Sequence, residues 1–156
     1  MLVNLICVGT KMPDWVSKGY EEYAKRLNRD IQLKLIELEL AKRSKNSSVE
    51  NIKSDEAKRI LQAVPKNNLI VVLDVKGNDW STEKLSTRLD NWLHSGKDVS
   101  LIVCGPDGLA QTLIQTADEK WSLSKLTLPH PMVRIVITEQ LYRAWSMLNN
   151  HPYHRV

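Results

Sequence analysis

The sequence predicts an α/β fold in which helices cover both faces of a mostly parallel sheet. Three apolar runs are long enough for strands and are typical of strands buried inside a covered sheet: LVNLICVG, NLIVVLDV and VSLIVCG. Between them lie segments whose apolar residues recur at three- and four-residue steps, as in helices with one packed face. The resulting order, β-α-β-α-β-α-β-α-(β)-α, favours parallel strand pairs.

The first half of the chain holds two predicted strands and two predicted helices. The strand LVNLICVGT closes at Gly9, and Asp14 is expected to cap a helix over residues 15–28. IQLKLIELEL alternates apolar and polar residues, which indicates a half-buried strand. The basic stretch AKRSKNSS has no periodicity and predicts a mobile loop, followed by a helix over residues 49–64.

The second half continues the alternation. NLIVVLDV is expected to be a central strand that Gly77 breaks, after which Ser81 caps a helix that stops at Gly96. VSLIVCG is the next central strand, followed by the turn GPDG and a helix over residues 109–119. WSLSKLTLPHP is expected to be extended, with two prolines interrupting it, and the last helix covers residues 133–149.

The composition indicates which broad class of protein this is. With 156 residues, 42% apolar and 26% charged, the chain resembles one globular domain, expected to span residues 1–156. Its apolar runs are too short to cross a membrane and its start lacks the features of a signal peptide, so we expect no membrane partner. Cys7 and Cys104 fall in predicted buried strands without metal-ligand spacing, which fits a reducing cytoplasm.

Charge and side-chain chemistry exclude few classes of function. The net charge of +4 is only weak evidence for a polyanionic partner such as RNA. Lys42, Arg43 and Lys45 could bind phosphates, although such charge is usually just solvated. His151 and His154 have no cysteine or carboxylate cluster beside them, so no metal site is predicted. No serine lies in a nucleophile-elbow context, which disfavours a hydrolase.

Three loops follow the carboxyl ends of predicted strands, where ligands bind in open α/β folds: LDVKGNDWS, CGPDGL and LSKLTLPHP. GPDG alone is typical of a type I turn and lacks the spacing of dinucleotide and phosphate loops. Pro129 and Pro131 bracket His130 in a rigid segment. Such a segment suits recognition of an adenine or an amino-acid group, and the alternative is a plain strand-to-helix connection. These residues leave nucleotide binding open.

Five motifs in register carry a resemblance to a known family: NLICVGTKMPDW, CGPDGL, WSLSKLTLPHPMVR, LYRAW and NHPYHRV. The chain resembles, from end to end, the small SPOUT-class methyltransferases that modify pseudouridine at N3 in large-subunit ribosomal RNA (the RlmH type). The match is weakest around residues 45–60. The resemblance implies a C-terminal deep trefoil knot, a homodimer, and action on 23S rRNA in assembled ribosomes.

The same resemblance implies a pocket for S-adenosyl-L-methionine in a bent conformation. Backbone groups would read the adenine and apolar side chains would sandwich it. The positions it assigns to the pocket are Leu73, Cys104, Gly105, Leu123, Ser124, Lys125, Leu126, Thr127 and Leu128. Cys104 stands where the family often has the first of two glycines, and we expect this cysteine to reshape the pocket without abolishing binding.

The tail NHPYHRV supplies candidates for the chemistry. The N3 of pseudouridine is an imide nitrogen that must lose its proton, so a base and a cation near the uracil oxygens would help. His154 is the expected proton acceptor, Arg155 the cation, and Tyr153 a stacking or hydrogen-bonding group, with Glu139 and Arg143 orienting them. In a dimer the tail would reach the partner's pocket. Two alternatives stay open: a methyltransferase for another rRNA or tRNA base, and a non-catalytic ribosome-binding module.

Overall fold

The protein forms a five-stranded parallel sheet. The computed structural model describes residues 1–27 and 30–155. The strands run in the order β2-β1-β4-β3-β5, and every neighbouring pair is parallel, which confirms the predicted fold class. Their bounds are β1 (Leu2–Val8), β2 (Gln32–Leu38), β3 (Leu69–Asp79), β4 (Val99–Val103) and β5 (Glu119–Ser122).

Helices cover both faces of this sheet. They are α1 (Asp14–Ala24), α2 (Val49–Ala63), α3 (Thr82–Ser95), α4 (Gln111–Thr116) and α5 (His130–Leu148), followed by a short 3-10 turn (Pro152–His154). Side chains alternate across β1, so Leu5 and Cys7 join a core with α3 and α5, whereas Ile6 and Val8 join a core with α2 and α4. All four β1 side chains are buried, which fits a central strand covered on both sides.

The starts of α1, α4 and α5 differ from the prediction, and α4 begins at Gln111 rather than at residue 109. Asp14 is the first residue of α1 and Pro13 precedes it, with no side-chain cap, so Asp14 acts only as a charge in the first turn. α1 ends at Ala24, and the predicted end at Asn28 lies outside the described residues. α5 begins at His130 rather than at residue 133, because proline is tolerated in the first helical turn, where its missing N–H has no intrahelical partner anyway.

Gly77 does not break β3, contrary to the prediction. The strand continues to Asp79, and its register against β5 shifts so that both Leu73 and Asn78 lie opposite Trp121. A Cβ on Gly77 would lie 2.9 Å from the backbone nitrogen of Trp121. Glycine is therefore present because two backbones approach closely at this irregularity.

The α4–β5 junction also differs from the prediction. α4 stops at Thr116, whereas the helix was expected to reach residue 119. The cause is Asp118, whose backbone N–H donates to the Ile70 carbonyl while its carboxylate accepts from the Ile70 N–H, both at 2.8 Å. These bonds bring the chain onto β3, and Glu119 starts β5. The segment expected to be extended is a strand only as far as Ser122.

The predicted caps of α3 are confirmed. The Ser81 hydroxyl accepts a hydrogen bond from the Lys84 N–H at 3.1 Å, and Gly96 ends the helix with a left-handed φ of 71°. Within the described residues, no helix combines the length and the apolar character needed to span a membrane.

Arg134 ties α5 to the sheet and is the largest fully buried side chain. Its guanidinium donates to a Glu37 carboxylate oxygen at 2.6 Å and to the Gly9 carbonyl at 2.7 Å. A buried cation is costly unless it is paired, and the Glu37 carboxylate supplies the opposite charge while Nε of Arg134 has no hydrogen-bond partner among the described residues. Arg134 thereby fixes the start of α5 against the carboxyl ends of β1 and β2.

We predict that Arg134→Met lowers the free energy of unfolding by about 2–3 kcal/mol, because it leaves the Glu37 carboxylate and the Gly9 carbonyl without their partner. Urea unfolding followed by circular dichroism measures this. Lys25→Met, which removes an exposed pair with Glu22, is the control and should cost about 0.5 kcal/mol or less. Equal stability of the two variants would contradict this role for Arg134.

Candidate functional site

A cleft of about 210 Å³ opens at the carboxyl ends of β3, β4 and β5, beside the first turn of α5. Parallel strands end at the same edge of a sheet, so three separate loops converge here. The residues that line the cleft are Leu73, Asp74, Val75, Val103, Cys104, Gly105, Gly108, Leu109, Trp121, Leu123, Ser124, Leu126, Thr127, Leu128, His130 and Val133. Most of this wall is apolar.

Most residues that the resemblance assigned to a pocket lie on this wall. The structure brings together Leu73 from β3, the pair Cys104 and Gly105 after β4, and five of the six residues 123–128. Lys125 is the exception, since it is exposed and does not line the cleft. Sequence motifs separated by up to 55 positions thus form one surface.

Sequence reasoning missed Asp74, which lies directly after Leu73. Its carboxylate accepts from the Lys76 N–H at 3.1 Å, so the side chain is held at the mouth of the cleft. The signal was available, because polar residues that follow a buried parallel strand are placed at the ligand-binding edge. Trp121 was also missed, since its place on β5 depends on the irregular register with β3.

The turn after β4 has two glycines with different roles. Gly108 has a φ of +86° and donates its N–H to the Gly105 carbonyl at 3.1 Å, which closes the turn. Gly105 is not left-handed, but a Cβ there would lie 2.6 Å from a carboxylate oxygen of Glu56. Cys104 is not among the non-glycine residues with positive φ, so its backbone accommodates a side chain without strain.

The ionisable groups at the back of the cleft are held neutral. Burial, with smaller contributions from the Glu56 and Asp74 carboxylates, raises the pKa of the Cys104 thiol to about 12. Burial also lowers the pKa of His130, although the neighbouring Cys104 carbonyl partly opposes this. At neutral pH the cleft therefore presents a protonated thiol and an uncharged imidazole.

The tail packs on the outer surface of α5. The Tyr153 hydroxyl donates to a Glu139 carboxylate oxygen at 3.0 Å, and its ring lies 4.6 Å from that of Tyr142 and 5.0 Å from the Arg143 guanidinium. Burial and the Glu139 carboxylate raise the pKa of Tyr153 to about 12. Tyr153 is thus a fixed hydrogen-bond donor and aromatic surface, and at neutral pH it is not a base.

His154 is oriented by α5. The Ser146 hydroxyl donates to the Arg143 carbonyl at 2.7 Å, and the same oxygen lies 3.4 Å from Nδ1 of His154. A hydroxyl has one proton, so the second contact needs Nδ1–H as donor, which leaves Nε2 of a neutral ring as the proton acceptor. Arg155 is exposed beyond it.

The tail is not part of the cleft wall on the same chain. Its hydrogen bond to α5 nearest the cleft is at Glu139, six residues from the cleft-lining Val133 and therefore about 9 Å along the helix axis. Ser146, which contacts His154, lies a further two turns away. On one chain, α5 therefore separates the cleft from His154.

The basic loop is tied to the cleft at two points. Arg43 forms an ion pair with Asp107 in the turn after β4, and the Ala41 N–H donates to Glu56 beside Gly105. A second cavity of about 550 Å³ lies between this loop and α2, with mixed polar walls that include Lys42 and Arg59. Across residues 1–27 and 30–155, no three His, Cys, Asp or Glu side chains cluster as metal ligands.

We predict that both cysteines resist alkylation in the folded protein. Burial raises the pKa of Cys7, like that of Cys104, to about 12, and the reactive thiolate is therefore scarce near pH 8. Iodoacetamide labelling followed by mass spectrometry should be at least about a hundredfold slower than for free cysteine, and should become fast in urea. Rapid labelling of native Cys104, which is only partly buried, would contradict a thiol held neutral in the cleft wall.

Comparisons with known proteins agree with the resemblance. The profile of a family described as "Predicted SPOUT methyltransferase" matches residues 1–154. The chain is 59% identical, over 99% of both chains, to a protein of Hydrogenovibrio crunogenus named "Ribosomal RNA large subunit methyltransferase H". It is 54% identical to a protein of the same name from Methylococcus capsulatus, over 99% of this chain and 100% of that one.

Proposed function

The chain belongs to the SPOUT methyltransferase family, and from this premise we propose that it methylates N3 of a pseudouridine in 23S ribosomal RNA. The observation that carries the proposal is the convergence of three loops on one apolar cleft, at the positions where the family resemblance puts the methyl donor. Residues 1–156 act as one domain, in the cytoplasm, on assembled ribosomes. The trefoil knot that the resemblance implies stays a prediction.

The donor in this proposal is S-adenosyl-L-methionine, which supplies a methyl group on a positively charged sulfur. The chemistry of the cleft supports this choice, because Leu73, Leu123 and Leu128 offer apolar surface for an adenine ring. Backbone groups of residues 123–128 would read the edge of that ring. Asp74 at the mouth suits hydroxyl groups of a ribose.

The tail carries out the proton chemistry in this proposal. Nε2 of His154 accepts the N3 proton, and the Arg155 guanidinium stabilises the negative charge that develops on the uracil oxygens. Tyr153, held by Glu139 and flanked by Arg143, presents an aromatic surface for the base. Ser146 positions His154.

The active enzyme is a homodimer in this proposal. Since His154 is held at Ser146, about 19 Å along α5 from the cleft-lining Val133, it acts on a base bound at the partner's cleft. Exposed apolar side chains around the cleft and on α1, namely Trp15, Val75, Leu126 and Met132, offer a surface for the second copy.

The rRNA surface includes the basic loop. The ion pair between Arg43 and Asp107 holds the basic loop, with Lys42, Arg43 and Lys45, next to the turn after β4. Lys11 follows the carboxyl end of β1. Phosphate groups bound there would hold the RNA at the same sheet edge as the cleft.

The proposal predicts which ribosomes accept the methyl group. Large-subunit RNA in ribosomes that contain pseudouridine but lack its methyl group should incorporate tritiated methyl, whereas ribosomes with uridine at that position should not. Mass spectrometry of RNA fragments locates the product. Methylation of another base or of tRNA, or binding without transfer, would contradict the proposed substrate.

His154→Ala is the matched control for that experiment. It should bind the donor as wild type does, because His154 does not line the cleft, yet transfer the methyl group more than about a hundredfold more slowly under single-turnover conditions. Little loss of rate across the pH range would contradict the role of His154 as base.

A further inference from the structure

We propose that Glu56 is a further positioning residue, whose buried carboxylate gives the cleft its preference for a positively charged methyl donor over the neutral product. This inference rests on the proposed function. Glu56 belongs to α2 and does not line the cleft. It lies directly behind Gly105, which does line the cleft.

Glu56 is a buried carboxylate with one oxygen unused by the protein. Its side chain is 4% exposed. One carboxylate oxygen accepts the Ala41 N–H at 3.2 Å, while the other has no hydrogen-bond partner among the protein atoms that the structure describes. Burying a charge with so little compensation is costly, and an unpartnered buried oxygen of this kind points to a role that the protein atoms alone do not fill.

No cation of the described chain compensates this charge. Among residues 1–27 and 30–155, the ion pairs do not include Glu56. Arg134, the one buried cation among the described residues, is already bound to Glu37 and to the Gly9 carbonyl. The neighbouring imidazole of His130 is uncharged at neutral pH, because burial lowers its pKa. A positive charge that balances Glu56 must therefore come with a ligand.

The unused oxygen points at the floor of the cleft. A Cβ on Gly105 would lie 2.6 Å from it, although the Gly105 backbone is not left-handed. Gly105 is thus a glycine because the Glu56 carboxylate approaches so closely, and only a thin layer of backbone separates that charge from the cleft. The Glu56 carboxylate also acts on two residues that line the cleft. It raises the pKa of Cys104, in the same direction as burial, and it raises the pKa of His130, against the effect of burial.

Methyl transfer changes one charge in the donor. S-adenosylmethionine carries a sulfonium, whereas S-adenosylhomocysteine has a neutral thioether, and the two molecules share the adenosine, the ammonium and the carboxylate. A carboxylate at an intermediate dielectric favours the cation, so Glu56 strengthens binding of the donor and leaves binding of the neutral product nearly unchanged. A role in packing alone would affect both molecules equally.

The test is calorimetric titration of Glu56→Gln with S-adenosylmethionine and with S-adenosylhomocysteine. Glutamine keeps the size of the side chain and an oxygen for the Ala41 N–H, and removes the charge. The affinity for S-adenosylmethionine should fall by roughly tenfold, while that for S-adenosylhomocysteine changes less than about twofold and reports an intact cleft. Asp55→Asn removes a charge from the same helix at an exposed position and should alter neither affinity.

Glu56→Asp keeps the charge and serves as the second variant if Glu56→Gln does not fold. It should retain the preference for S-adenosylmethionine over S-adenosylhomocysteine. Equal losses for both molecules in Glu56→Gln, no loss for either, or a lost preference in Glu56→Asp would overturn the inference while leaving the proposed function intact. Wild-type protein that binds neither molecule would overturn both.

Discussion

The length of α5 is the constraint on which the functional architecture depends. The helix has 19 residues and is therefore about 28 Å long, and Arg134 fixes its first turns to the carboxyl ends of β1 and β2. Its start borders the cleft, while its second half holds the tail through Glu139 and Ser146. The cleft and the tail are thereby held apart on one chain, and the proposed homodimer would bring them together.

The electrostatics of the cleft follow from the same packing. Covering the sheet on both faces partly buries Cys104 and His130, and this burial keeps both uncharged at neutral pH by shifting their pKa values in opposite directions. Against this neutral background the carboxylate of Glu56, placed by α2 behind Gly105, is the buried charge that matters most. A small set of charges in an apolar wall gives a site that distinguishes ligands by charge as well as by shape.

The sequence predicts the strands, the helix order and the caps of α3 well, because hydrophobic periodicity and cap residues act locally. Gly77 was misread, since its role arises from the backbone of β5, about 44 positions away. Asp118 shortens α4 through bonds to β3 that no local pattern contains. In the site, the assigned motif positions lie on the cleft wall apart from Lys125, whereas the lining residues Asp74 and Trp121 were missed. Glu56 was missed because only packing places it beside Gly105.

The separation of cleft and tail is the central claim, and a mixing experiment with two variants tests it most directly. Leu128→Arg blocks the cleft and leaves the tail intact, whereas His154→Ala leaves the cleft intact. Each variant alone should transfer methyl groups to ribosomes very slowly. After subunit exchange, mixed dimers contain one intact cleft facing one intact tail, so activity should return. A mixture that stays as inactive as its components would show that each subunit uses its own tail, and would contradict this account.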